Sequence, residues 1–297
     1  MAEPRRGISP ATAFFALLSV VLGVALYLEK RSPETTPSES SAASKRVAPR
    51  RAEPAPAPTR AAAAKAKPSP RAPGPDAGRI AIVIDDLGND RAALERIARW
   101  PWPVAGAVLP GLPGSTDAAR ELARSGKEVL LHLPMEPDGY PAVQPGPGVI
   151  LRSDSDEEIA STVAADLEWV PGAVGVNNHM GSAATADSRV MRAVVRVLSQ
   201  RGLFLLDSRT TEASVARRVA EEGSVPAVSR RVFLDSVVSE SAVARSFQQL
   251  LRTARTEGPA IAIGHPHRAT MDVLERELPR LAEERVKLVP VSTLVRK

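Results

Sequence analysis

Short apolar runs recur along residues 79–297, and each is followed by a stretch whose apolar positions return at helical spacing. Strands are predicted over Ile80–Ile84, Val104–Leu109, Glu128–Leu131, Gly172–Val176, Leu203–Leu206, Arg231–Leu234, Ile261–Ile263 and Leu288–Val291. Helices are predicted between them. Asp90–Trp100 carries Ala93, Leu94, Ile97 and Ala98 on one face and stops at Pro101. Ser115–Ser125 has Ser115 or Thr116 as N-cap and Gly126 just past its end. Asp154–Trp169 enters through an acidic first turn, and Asp187–Arg201 stops at Gly202. Thr211–Gly223, Ser239–Glu257 and Thr270–Glu284 complete the set. Regular alternation implies parallel strands joined by helical crossovers, an α/β class. About eight such units suit a (β/α) barrel, distorted or incomplete, with a doubly wound open sheet as the alternative. Both bring the C-terminal ends of the strands to one crevice.

The first 78 residues follow a different pattern. Arg5-Arg6 precede an uncharged apolar stretch, residues 11–28, which Glu29-Lys30-Arg31 closes. A bilayer span takes about 20 apolar residues. This stretch is expected to be a single-pass transmembrane anchor, with 1–10 cytoplasmic and the large domain extracytoplasmic (periplasmic) on the inner membrane. A cleaved signal peptide is the alternative, although no small-x-small site follows the apolar core. Residues 29–78 are dominated by Pro, Ala, Ser and Arg, with almost no large apolar side chains. Such a segment buries too little surface to offset chain entropy and reads as a disordered, semi-stiff linker.

Composition narrows the partners. The chain of 297 residues carries a formal charge of +5, but residues 1–78 hold 12 Lys/Arg against 6 Asp/Glu, leaving 27 against 28 for 79–297. The basic excess belongs to the tail. A near-neutral domain with 3% aromatic residues lacks the electrostatic and stacking features of a nucleic-acid binder. With no cysteine, disulfides, thiolate metal sites and cysteine nucleophiles are excluded. No glycine-rich phosphate loop and no G-x-S-x-G elbow is present.

The chemistry sits where strands end. All four histidines fall at or just past apolar runs: His132, His179, His265 and His267. Asp85-Asp86 closes the first run and Asp207 the fifth. Imidazoles and carboxylates gathered at one crevice are the ingredients of a metal-assisted hydrolytic site. Two adjacent carboxylates at a buried strand end repel each other, and a divalent cation relieves that repulsion.

Ile82-Val-Ile-Asp85-Asp86-Leu-Gly88 and Gly126-Lys-Glu-Val-Leu-Leu-His132 resemble the opening motifs of polysaccharide deacetylases of the NodB-like barrel group, and Asn177-Asn-His-Met-Gly-Ser182 resembles their divergent subfamily. The resemblance covers about residues 79–297. It implies Asp85 as catalytic base and Asp86 and His132 as ligands of a divalent metal such as zinc. The ordinary family has a second histidine four residues after the first, where this chain has Glu136, so either Glu136 or His179 would complete the metal site. The ordinary motif pairing an Arg with an aromatic near this point is absent. Leu205-Leu-Asp207-Ser-Arg209-Thr210 resembles the fourth motif, with Asp207 and Arg209 orienting a catalytic group, contacting substrate or forming a structural ion pair. Ile263-Gly-His265-Pro-His267 resembles the last, where His265 or His267 would protonate the leaving group. The implied activity is metal-dependent removal of acetyl groups from a cell-envelope, peptidoglycan-type polysaccharide. The alternatives are a catalytically silent envelope-binding or scaffold protein, and a glycosidase using Asp85 and Asp207.

Overall fold

The computed structural model describes residues 78–295. The expected anchor at 11–28 and almost all of the linker at 29–78 lie outside the described residues. Within them, no helix is long and apolar enough to cross a membrane.

Nine parallel strands form one curved sheet: β1 (Gly78–Leu87), β2 (Ala105–Val108), β3 (Val129–Met135), β4 (Gly175–Met180), β5 (Phe204–Asp207), β6 (Ala227–Ser229), β7 (Val232–Phe233), β8 (Ala260–Gly264) and β9 (Val286–Leu288). Seven α-helices alternate with them: α1 (Arg91–Arg99), α2 (Ser115–Arg124), α3 (Asp156–Trp169), α4 (Ser188–Arg201), α5 (Ala216–Glu222), α6 (Glu240–Thr256) and α7 (Arg268–Glu277). The strands are ordered β6-β5-β4-β3-β2-β1-β8-β7. This is the cyclic order of a barrel in which β6 and β7 do not pair with each other, so the sheet is an open half-barrel rather than a closed (β/α) barrel. It lacks the reversal of a doubly wound sheet. Ile80 pairs with Ala260 of β8 and with Leu288 of β9, while Val83 pairs with Ile263 of β8 and with Ala105 of β2. β9 and β2 therefore share one edge of β1, end to end.

Several elements differ from the sequence expectation for physical reasons. β1, β3 and β4 run on through Asp85-Asp86, His132 and His179, because buried polar groups at the strand ends stay in the hydrogen-bonded ladder. The strand β6 was not expected; its three residues Ala-Val-Ser carry too short a pattern to be read. The last helix ends at Glu277, where Pro279 turns the chain into a 3-10 segment at Leu278–Arg280. Four helix starts are capped by side chains: Asp90, Ser155, Asp187 and Ser239 each accept a backbone N–H, and Ser155 with Glu158 completes a capping box. Ser115, expected as a cap, is instead the first residue of α2 after Gly114, and α5 starts at Ala216 rather than Thr211. Arg96 of α1 bonds Asp272 and Glu275 of α7, and Trp100 also donates to Glu275, tying the first helix to the last.

Strand alternation creates two cores. Ile80, Ile82 and Ile84 of β1 pack with Leu131, Leu133 and Met135 of β3 in the larger core with the helices. Ala81, Val83, Ala105, Ala107, Leu130, Phe204, Leu206, Ile261 and Ile263 fill the smaller one, inside the half-barrel. The interior is packed with small residues, and Gly175 leaves room for the Phe204 ring. The interior parity continues to Asp85 on β1, His132 on β3, Asn177 and His179 on β4, and just past the strand ends to Asp235 and His265.

Candidate metal centre and its acid–base partners

The site begins at a slip in β1. Pairing with β2 shifts register between Ile84 and Leu87, and Asp86 takes a φ of +58°, a strained conformation for a non-glycine residue. The slip lets two consecutive carboxylates reach the same histidine. Met180 (φ +52°) makes a comparable turn after His179, held by Asn178, whose Nδ2 donates to the Met180 carbonyl at 2.7 Å and whose Oδ1 accepts from Ser208 N at 2.9 Å.

Three ligand-type atoms then meet. Asp86 Oδ1 lies 3.2 Å from His132 Nε2 and 3.1 Å from His179 Nδ1, and the two imidazole nitrogens are 3.1 Å apart. Neighbouring ligands of one zinc-sized ion, bonded at about 2.0–2.1 Å, stand roughly 3–3.4 Å apart. Asn177 Nδ2 donates to both oxygens of Asp85, at 2.9 and 3.1 Å, so its Oδ1 faces His132 Nδ1 at 3.0 Å. His132 Nδ1 therefore carries the proton, and Nε2 turns a lone pair toward the triangle. Asp86 Oδ1 is buried and accepts no hydrogen bond. An orphaned carboxylate oxygen beside an imidazole lone pair fits a divalent cation, and the Asp/His/His donor set suits zinc or a similar metal.

The electrostatics agree. Burial drives Asp85 upward from the usual carboxylate range, and the opposing pull of His132 and Asn177 does not cancel it. Burial also pushes Asp86 up, but His132 and His179 outweigh it and hold this carboxyl ionised. For His132, burial opposes protonation while Asp85 and Asp86 favour it, and the net shift is upward. The pocket thus attracts positive charge.

A second pair flanks the triangle. His265 Nε2 stands 3.9 Å from Asp86 Oδ2, and its Nδ1 is 2.9 Å from Asp235 Oδ1. Asp235 is buried and also accepts from His265 N at 2.6 Å and Thr270 Oγ1 at 2.7 Å. Burial lowers the His265 pKa, but Asp235, Asp86 and Asp85 raise it further, so the net shift is upward. Phe233 stacks on the His265 ring, with centroids 5.4 Å apart and planes 14° apart.

Of the residues expected from sequence, the structure brings together Asp85, Asp86, His132, His179 and His265. Glu136 is elsewhere: its carboxylate accepts from Arg152 N at 2.6 Å and Arg152 Nε at 3.0 Å. An arginine already neutralises it, and His179 holds the third corner. Asp207 also stands apart. On β5 the interior positions are Phe204 and Leu206, so Asp207 has the outward parity, and it caps its own turn by accepting from Arg209 N and Ser214 Oγ. Ser208 takes the inward position, 3.3 Å from Asn177 Nδ2. Arg209 pairs with Glu212. His267 is exposed, 5.9 Å from His265 between ring centroids. Sequence reasoning missed Asp235 and gave Asn177 no role. Asp235 was within reach, since it too directly follows an apolar run, Val232-Phe-Leu234.

Residues 82–295 match the divergent polysaccharide deacetylase family. The chain belongs to that family. It is 38% identical over 220 residues to the uncharacterized protein YibQ of Escherichia coli, covering 74% of this chain and 68% of that protein. An uncharacterized protein of Haemophilus influenzae is 37% identical over 218 residues, covering 73% of this chain and 77% of its own length. Among solved structures, an uncharacterized protein of Agrobacterium tumefaciens superposes with a TM-score of 0.70 at 26% identity, covering 74% of this chain and 89% of that one. The family match spans β1 to the final turn and includes every residue of the site described above.

Proposed function

We propose that this divergent polysaccharide deacetylase is a divalent-metal-dependent hydrolase that removes acetyl groups from a cell-envelope, peptidoglycan-type polysaccharide. The observation that carries the proposal is the triangle of Asp86, His132 and His179 lying between a buried carboxylate held by Asn177, Asp85, and an oriented imidazole, His265. The triangle would hold the metal, zinc being the best match to its donors. When bound, such an ion supplies Lewis-acid polarisation of an acyl oxygen and eases the ionisation of water.

The chain's own groups supply the proton transfers. Asp85, its oxygens fixed by the Asn177 amide, removes a proton from the attacking water. His265 presents Nε2 to the site while Asp235 holds Nδ1, which fixes the tautomer and favours the protonated ring. Protonated His265 then delivers its proton to the departing amine or alkoxide. The glycosidase alternative loses its second carboxylate, because Asp207 is committed to the outward turn.

The stretch 11–28 we propose as a membrane anchor and 29–78 as the tether that holds the domain on the extracytoplasmic side. The test of function is acetate release from N-acetylglucosamine oligomers and peptidoglycan fragments by the full-length chain with added zinc. Wild type is expected to release acetate, and Asp85→Asn to reduce the rate by about 100-fold or more. Equal release by the two proteins would remove Asp85 from the mechanism. No release from any acetylated glycan would overturn the deacetylase reading.

A further inference from the structure

The open seam between β6 and β7 is lined by arginines. A cavity of about 240 Å³ at its base is faced by Arg79, Arg217 and Arg231, with Ser229 and Thr293 adding hydroxyls. A second cavity of about 350 Å³ on its flank is faced by Arg209, Arg230 and Arg231. Across both, five arginines meet two carboxylates: Glu212 pairs with Arg209 and Glu257 with Arg231, which leaves Arg79, Arg217 and Arg230 without a carboxylate from the lining. This is a local excess of positive charge in a domain that carries 27 basic and 28 acidic residues over 79–297. Arg79 has no carboxylate partner among the described residues, and Arg217 pairs only with Glu221 on its own helix. Exposed pairs of that kind are weak and leave the guanidinium available.

The seam adjoins the site at Phe233. Arg230 donates to the carbonyls of Ser208 and Arg209, and its guanidinium lies 4.4 Å from the centroid of the Phe233 ring that stacks on His265. A chain leaving the acid–base pair past Phe233 would meet the Arg230 guanidinium first, with the arginines of the two cavities further along the seam. Arginine forks recognise planar oxyanions in a bidentate fashion.

We infer that the seam binds the acidic groups, carboxylate or phosphate, of a glycan whose acetylated unit occupies the site. The inference rests on the glycan reading above and names the substrate class as an acidic polysaccharide. The test is equilibrium binding of the full-length chain to polygalacturonate and to phosphorylated dextran, with neutral dextran as reference. Wild type is expected to bind one or both acidic polymers saturably and more weakly at high salt. The double variant Arg79→Glu/Arg231→Glu should lose at least about tenfold in affinity, and Arg79→Lys/Arg231→Lys should lose less because charge survives without the fork. Charge reversal at the remote exposed Arg124 should change nothing. Absence of binding, equal binding of neutral dextran, or an unchanged double variant of unaltered melting temperature would overturn the inference and leave the arginines as guards of two unpaired strand edges. Binding that depends on the arginines without acetate release from any glycan would sink the proposed reaction while sustaining the seam. Acetate release from neutral glycans without arginine dependence would do the reverse.

Discussion

At the residue scale, Asn177 links the two halves of the proposed chemistry. Its amide holds Asp85 through Nδ2 and His132 through Oδ1. Partners of this kind orient metal ligands, and their loss costs about 10–100-fold in metal affinity. Asn177→Ala is therefore expected to weaken zinc binding by that factor in a competition titration, and unaltered affinity would contradict the role. Asp235 acts on proton transfer. It raises the His265 pKa, so an acid that must be protonated to work loses activity as pH rises through that pKa. Asp235→Asn removes the raising partner and should move the alkaline limb of the kcat profile to lower pH, along with a lower kcat. A limb that stays in place would remove the pair from the mechanism. The residue types were legible in the sequence, since histidines and aspartates beyond apolar runs are unusual for a structural domain. The choice among them was not, because Glu136 and His179 differ only in how far β4 extends and in where Arg152 reaches.

At the element scale, strand parity decides which polar residues enter the barrel. Counting alternate positions along β1, β4 and β5 places Asp85 and Asn177 inside and Asp207 outside, a rule the sequence contained once strand starts were fixed. The strand starts were the illegible part: β4 begins three residues later than its apolar pattern suggests and extends to Met180. The loop after β3 returns over α3, where Asp166 is buried beneath Gly148 with its Oδ2 unpaired. Burial alone lifts this carboxyl from 3.8 to about 7. The folded state thus binds the proton more tightly than the unfolded chain, and its stability falls as pH rises from about 4 through about 7. Asp166→Asn should remove this slope, so that the variant gains on the order of 2–4 kcal/mol relative to wild type between pH 4 and pH 8. Chemical denaturation at the two pH values reads the difference, and parallel pH dependences would refute the assignment.

At the scale of the whole molecule, alternation of strands and helices announced an α/β barrel, and the parallel sheet in cyclic order follows from it. The opening between β6 and β7 did not show in the pattern, because β6 and β7 are only three and two residues long. The half-barrel brings Asp85, Asp86, His132, His179 and His265 around one mouth and leaves Glu136, Asp207, Arg209 and His267 outside it. If the triangle binds metal, folding and metal binding are linked, and the melting temperature should rise with added zinc in wild type but not in Asp86→Ala. A shift of equal size in both proteins would assign the metal to another site.

The most direct test of the central claim is metal content by elemental analysis of the purified full-length chain after zinc supplementation, for wild type, His132→Ala and Glu136→Gln side by side. The account predicts about one ion per chain in wild type and in Glu136→Gln, and near-complete loss in His132→Ala. Metal retained by His132→Ala, or absent from wild type, would contradict it.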